Sequence, residues 1–178
     1  MSVIERSTKE TTIRVDLSAG GGPSSVTTGE RFLDHMMITL VRYAGLELNL
    51  TATGDLKHHL IEDVAIAMGS AFAALLPETC ARYGARTIAM DDALVHVAID
   101  TGGRPYYEGP LPSSLYDHWM RSFADNARMT LHVRILRGRD RHHIVEAAFK
   151  ALGLALRDAL VRTDAVFSTK GAVVTGGK

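Results

Sequence analysis

Cysteine is almost missing from this chain: Cys80 stands alone. That excludes an intrachain disulfide and suits a reducing cytosol, so a cytoplasmic location is expected. An excess of charge of either sign is also missing. Twenty Lys and Arg balance twenty Asp and Glu, so no basic field points to nucleic acid or to an anionic membrane surface. No apolar run approaches the ~20 residues that cross a bilayer. The first residues, with Glu5, Arg6, Lys9 and Glu10 among them, are too polar for a secretory leader. The 178 residues suit one domain, or two small halves that share a core.

Against these absences stands a concentration of histidine. His142-His143-Ile144-Val145-Glu146 opens a long apolar-periodic run. On an α-helix, residues four apart share a face, so His142 and Glu146 can grip one ion together. His143 lies about 100° round the helix, given about 3.6 residues per turn, and must serve something else. The same pattern stands earlier as His58-His59-Leu60-Ile61-Glu62. A chain that carries it twice reads as one built around a pair of metal ions.

Hydrophobic periodicity organises the rest. Thr11 to Leu17 alternates Ile13, Val15 and Leu17 with polar residues and reads as a strand. Val26 to Thr28 is a short strand broken by Gly29. Phe32 to Tyr43 reads as a helix with Asp34 near its start. Leu46, Leu48 and Leu50 alternate as a strand. A helix from His59 to Leu76 buries Ile61, Ala65, Met68, Phe72 and Leu76, and Pro77 cannot continue it comfortably. Tyr83 to Asp100 has the texture of β structure, followed by a turn at Gly102-Gly103. Ser113 or Ser114 caps a helix to about Asn126. Met129 to Ile135 is a strand ended by Gly138, and the last helix carries Val145, Phe149, Leu152, Leu156 and Leu160. The tail, Phe167 to Lys178, is glycine-rich and reads as a surface segment.

The two halves repeat. Leu33-Asp34-His35-Met36-Met37 aligns with Tyr116-Asp117-His118-Trp119-Met120 at an offset of 83 (35 to 118), and the double histidines and glutamates at 84 (58 to 142, 62 to 146). Residues 1–81 form one half and 82–178 the other, together one compact α+β domain, since neither half could bury both faces of its elements alone. His35, His58, His59, His118, His142 and His143 with Glu62 and Glu146 then divide into two sets of three histidines and one carboxylate. That donor set suits Mn, Fe, Zn or Ni. Glutamates acting as helix-start capping partners would explain one copy but hardly both. His96 and His132, in strand-like contexts, read as structural. By helix spacing, His58 and Glu62 share one ion and His142 and Glu146 the other, while His59 and His143 complete the opposite sets.

Basic residues in turns suggest a phosphate. Arg82, Arg104 and Lys170 taken singly read as solvated charges, but Gly103 and Pro105 fix the backbone around Arg104 and let a ligand approach. Ser168-Thr169-Lys170-Gly171 offers hydroxyl, ammonium and backbone amides together.

Several stretches, in order and over nearly the whole chain, resemble the imidazoleglycerol-phosphate dehydratase family of histidine biosynthesis. They are Arg6 to Thr11, Thr28-Gly29 with Asp34-His35-Met36, His58 to Asp63, Arg82-Tyr83-Gly84 with Met90-Asp91, Gly103-Arg104-Pro105, His142 to Lys150, and Ser168 to Gly171. The resemblance implies two similar α+β halves, each like the second domain of ribosomal protein S5, with sheets packed on a four-helix layer. It implies two manganese ions per site and a homo-oligomer of twenty-four subunits with sites shared between chains. Metal ligands would be His35, His58, His59, Glu62, His118, His142, His143 and Glu146. Glu10, Arg82, Arg104, Lys150, Ser168 and Lys170 would bind substrate, with Glu10 and Glu146 handling protons. The chain departs from the family's pattern in a shorter loop before His58, in Thr39 and Tyr43 where Gln and His are common, and in Ala89 where proline is usual. Two other classes fit parts of the pattern: a dinuclear-metal hydrolase of a small phosphorylated metabolite, and a non-catalytic metal-assembled shell protein. Glu10, Arg104 and Lys170 discriminate against the second, which has no need of them.

Overall fold

A computed structural model describes residues 1–164 of the chain. The first half runs β1 (Ser2–Ser7), β2 (Thr11–Ala19), β3 (Ser25–Thr27), α1 (Arg31–Ala44), β4 (Leu46–Gly54) and α2 (Lys57–Leu75). The second repeats it as β5 (Tyr83–Met90), β6 (Ala93–Asp100), β7 (Tyr106–Glu108), α3 (Ser114–Asn126), β8 (Thr130–Arg137) and α4 (Arg141–Ala159). The sheets have the same order, β1-β2-β4-β3 and β5-β6-β8-β7, antiparallel except for the short third strand of each. The duplication read from the sequence is thus a duplication of topology, with two similar α+β halves.

Two strands were not anticipated. β1 carries polar residues at most positions and lies at a sheet edge, and β7 has three residues. Neither is long or apolar enough to show a period of two. The expected β stretch from Tyr83 to Asp100 resolves into the hairpin β5–β6, turning at Asp91-Asp92.

One face of each sheet is apolar. Ile13, Val15, Leu17, Leu48 and Leu50 in the first sheet, and Val95, Val97, Ile99, Leu131 and Val133 in the second, are buried. α1 and α2 cover the first face and α3 and α4 the second. The helices then pack across the halves, α1 on α4 and α2 on α3. Trp119 is fully buried at this seam, 5.0 Å from the Phe123 ring and 4.7 Å from the Phe149 ring. Truncating such a side chain to alanine costs ~3–5 kcal/mol.

Two glycines let the helices cross closely. A Cβ on Gly69 of α2 would stand 2.6 Å from the Phe123 carbonyl oxygen of α3. A Cβ on Gly153 of α4 would stand 2.6 Å from the Leu40 carbonyl oxygen of α1. α1 ends on Gly45 at φ +70°, the left-handed conformation that closes a helix. Asp140 caps α4 by accepting the His142 N–H at 2.7 Å. Ser113 occupies the N-cap of α3 without a side-chain capping bond. Among the described residues, no helix is long and apolar enough to cross a membrane.

Candidate active site

α1 and α3 each open on the Asp-His pair. The Asp34 carboxylate accepts the Thr28 N–H at 3.0 Å and the Thr28 hydroxyl. Asp117 accepts the Tyr107 hydroxyl at 2.6 Å and the Leu111 N–H at 2.8 Å. Each aspartate ties the incoming loop to its helix, and the histidine that follows is presented at the seam with the other half.

Two equivalent clusters result, and each takes residues from both halves. In the first, His118 Nε2 of α3 lies 3.1 Å from Glu62 of α2, and His58 Nε2 lies 3.5 Å from the other oxygen of Glu62. The two imidazoles stack with centroids 5.2 Å apart. Donor atoms of His58, Glu62 and His118 all lie within 4.8 Å of one another. In the second cluster, His35 Nε2 of α1 and His142 Nε2 of α4 lie 3.3 and 3.2 Å from one Glu146 oxygen. Lys150 Nζ lies 3.0 Å from the other. Burial pushes the Glu146 carboxyl up, but the hydrogen bonds and charges of Lys150 and His35 together hold it below the ordinary glutamate value.

His59 and His143 point elsewhere, as their place one residue further round the helix requires. His59 Nδ1 meets Asp55 at 2.8 Å, with Glu10 at 3.6 Å. His143 Nδ1 meets Asp92 at 2.8 Å, and its Nε2 lies 3.5 Å from Asp91. The hydrogen bonds to Asp55 and Asp92, more than any other influence, raise the two imidazoles above the ordinary histidine value. Asp92 also accepts the N–H groups of Arg139 at 2.6 Å and Asp140 at 3.2 Å. Its carboxyl is lowered to about 2, first by His143 and then by these amides.

These residues fit a metal. His118 Nε2 is buried and, among the described residues, makes no hydrogen bond, although it lies 3.1 Å from a Glu62 oxygen, as two ligands of one ion would. A carboxylate on one nitrogen of His59 and of His143 fixes the tautomer and leaves the other nitrogen to coordinate, as outer partners of ligating histidines do. Asp55 stands four residues before His59, so helix spacing could have flagged it. Asp92 is 51 residues from His143, and only the tertiary fold brings it there.

The substrate candidates are placed apart. Glu10 lies on the β1–β2 turn beside His59, its side chain 54% exposed. Lys150 is taken up by Glu146, with Met90 Sδ at 3.5 Å. Arg82, at φ +68°, donates Nε and Nη2 to Asp100 at 2.6 and 2.9 Å, at the opposite end of β5 from Asp91-Asp92. Arg104 is exposed beyond Gly103, whose φ is +82°. Arg82 above all, with Arg104 adding to it, lowers the Asp100 carboxyl. Ser168 and Lys170 lie outside the described residues.

Two α+β halves whose helices pack across the seam to build paired His-His-Glu clusters define an internally duplicated enzyme scaffold. The comparisons with known proteins make that class specific. The model of the family described as imidazoleglycerol-phosphate dehydratase matches residues 28–156. An imidazoleglycerol-phosphate dehydratase of Oleidesulfovibrio alaskensis is 42% identical over 97% of both chains. That of Pyrobaculum calidifontis is 45% identical over 94% of this chain and 97% of its own. The crystal structure of the enzyme from Pyrococcus furiosus superposes with a TM-score of 0.87 at 40% identity, covering 96% of this chain and 100% of that one. The Staphylococcus aureus enzyme gives 0.83 at 33% identity, covering 91% and 99%. The chain belongs to the imidazoleglycerol-phosphate dehydratase family, lyases of histidine biosynthesis.

Proposed function

We propose that this chain dehydrates imidazole glycerol phosphate to imidazole acetol phosphate, at sites holding two divalent transition-metal ions, manganese by family resemblance. The observation that carries the reading is the pair of His-His-Glu clusters, each with a histidine–aspartate pair beside it, on a chain of this family. His58, Glu62 and His118 would hold one ion, and His35, His142 and Glu146 the other. His59 and His143 turn outward and would complete the opposite sets. The ions would supply Lewis-acid polarisation of the substrate's imidazole ring.

The chain's own groups carry the rest. The substrate loses a hydroxyl beside its ring and a proton from the next carbon, a C–H with no carbonyl to acidify it. A positioned base has to take that proton. Glu10 suits the task, exposed on its turn with His59 alongside. Glu146, its carboxyl held below the ordinary glutamate value beside Lys150, is the second group assigned to proton handling. The fork of Arg104 would hold the phosphate, with Arg82, Lys150, Ser168 and Lys170.

Among the described residues, one chain does not bring Arg82 to the turn that faces His143. Arg82 and the His143 turn stand at opposite ends of β5, whose eight residues span roughly 25 Å at ~3.3 Å per residue. That separation supports sites completed between copies; the assembly of twenty-four subunits and the cytoplasmic location rest on the family resemblance. The deciding experiment mixes the chain with imidazole glycerol phosphate and manganese and follows the enolised product by ultraviolet absorption. Turnover that appears with manganese and vanishes with chelator is expected. Release of inorganic phosphate instead would replace the reading with the hydrolase. Chelation should also break the particle into smaller oligomers on light scattering with its helices intact. A full-sized particle free of metal would separate assembly from the ions.

A further inference from the structure

The two β-hairpin turns that face the outward histidines are built differently. Between the last paired residues of β5 and β6, Met90 and Ala93, stand only Asp91 and Asp92. Between Ser7 and Thr12 of β1 and β2 stand four residues, Thr8, Lys9, Glu10 and Thr11. A longer turn has more conformations to lose. In the second half the acid restrains its own turn, since Asp92 binds His143 and two amides of the α4 approach. In the first half Glu10 binds nothing of the kind. Its side chain is exposed, with His59 at 3.6 Å.

The restraint comes instead from α2. Asp63, with a side chain only 10% exposed, accepts Arg6 Nη2 at 2.8 Å on one oxygen and the Thr11 hydroxyl on the other. Thr11 Oγ1 lies 3.2 Å from Thr8 Oγ1, which accepts the N–H groups of Glu10 at 3.1 Å and Thr11 at 3.0 Å. The Glu10 carbonyl accepts the Asp55 N–H at 3.0 Å, and the Asp55 side chain holds His59. Every polar backbone group of Glu10 is therefore fixed, while its carboxylate makes no hydrogen bond among the described residues and lies 3.6 Å from His59 Nδ1. A buried carboxylate is costly to place, and its partners offset rather than exceed that cost. The equivalent position in the second half, 84 residues on, is Ala147. The fold does without a carboxylate there, so Asp63 answers a need of the Glu10 turn.

We propose that Asp63 is a positioning residue for Glu10: with Thr11 and Arg6 it clamps the β1–β2 turn to α2 and sets the Glu10 carboxylate beside His59. The inference rests on the reading of Glu10 as the group that meets substrate. The test compares Asp63→Asn, Thr11→Val, Glu10→Gln and the double variant Asp63→Asn with Glu10→Gln, each in the metal-loaded full chain. Amide hydrogen exchange is followed at residues 8–11, with metal content and steady-state kinetics on imidazole glycerol phosphate. Asp63→Asn should speed exchange at Glu10 and Thr11 while α2 stays protected and metal content stays unchanged. Its kcat should fall about 10–100-fold, as a misplaced group does, with KM within about twofold. Added to Glu10→Gln, the same change should cost no more than about twofold, because the group it positions is already gone. Thr11→Val, which keeps the Arg6–Asp63 pair, should show the same pattern more weakly and serves if Asp63→Asn does not fold. Unchanged exchange at residues 8–11 overturns the clamp. So do loss of metal, which would place the effect on Glu62, and full additivity with Glu10→Gln. Undiminished turnover in Glu10→Gln alone would remove the reading of Glu10, while the exchange data would still decide whether the clamp exists.

Discussion

The two His-His-Glu clusters occupy equivalent places and differ in what surrounds the glutamate. Glu62 is 35% exposed, and the residue one turn further on is Ile66. Glu146 is 9% exposed, and the residue at that position is Lys150, whose ammonium sits 3.0 Å from it. The facing turns differ in the same sense: the acid of one is engaged in holding two amides of the α4 approach, and the acid of the other holds no such amides among the described residues. Duplication supplied one geometry twice, and later substitution made the two copies chemically unlike. A dehydration needs that inequality, because one carbon gives up a hydroxyl and its neighbour a proton.

The comparison breaks most decisively at the glutamates. Glu62→Gln and Glu146→Gln should each lower turnover by more than the roughly 100-fold that bounds an outer-partner change. Metal analysis should show a deficit in both. Near-normal activity in one of them would mean that a single cluster serves catalysis. Next come the aspartates behind the outward histidines. Asp92→Asn should weaken manganese binding about 10–100-fold, and Asp55→Asn should fall nearer the lower end. Asp92 also ties in Arg139 and Asp140, whereas Asp55 reaches only the adjoining Leu56 N–H. Titration against a competing chelator gives the ranking, and the reverse order would refute it.

Stability offers a gentler contrast between two strand aspartates, Asp16 of β2 and Asp100 of β6. Asp100 is held by Arg82 at the half-buried end of β6, an interior strand, while Asp16 meets Arg14 on an exposed face. The Asp100 carboxyl is lowered on folding, so its contribution is complete above the ordinary carboxylate range and is lost as pH falls through its folded value. Asp100→Asn should therefore cost about 1 kcal/mol at neutral pH and flatten the acid limb of the unfolding curve. Asp16→Asn should leave the melting midpoint where it was, as exposed pairs commonly do. Equal shifts in both variants would show that burial does not separate them.

What could be read from the sequence was whatever repeats or whatever helix spacing imposes. The eight metal candidates stood out because all of them recur at the offset near 84, and the unrelated i, i+4 spacing selected four of the same residues, His58, Glu62, His142 and Glu146. That the clusters form across the halves, His118 with Glu62 and His35 with Glu146, followed from how α3 packs on α2 and α1 on α4 and left no mark in the local pattern. Asp63 and Asp92 were passed over because their partners stand 52–57 and 47–51 residues away. Lys150 was read as a residue that holds the substrate's phosphate; its i, i+4 relation to Glu146, visible throughout, was not read. β1 and β7, weak as single strands, were recoverable from the repeat: β5 and β3 mark where each should lie.

The glycine crossings set a clearance for the sites. Gly69 lies seven residues beyond Glu62, and Gly153 seven beyond Glu146, two helical turns from either cluster. A methyl group at either point meets backbone at 2.6 Å, and a carbonyl oxygen cannot swing aside as a side chain does. The helices would have to part, carrying His118 away from Glu62 or His35 away from Glu146. The width of each coordination gap is thus gauged by a residue that never touches an ion, in the way a shim beneath one end of a plate sets the opening at the other.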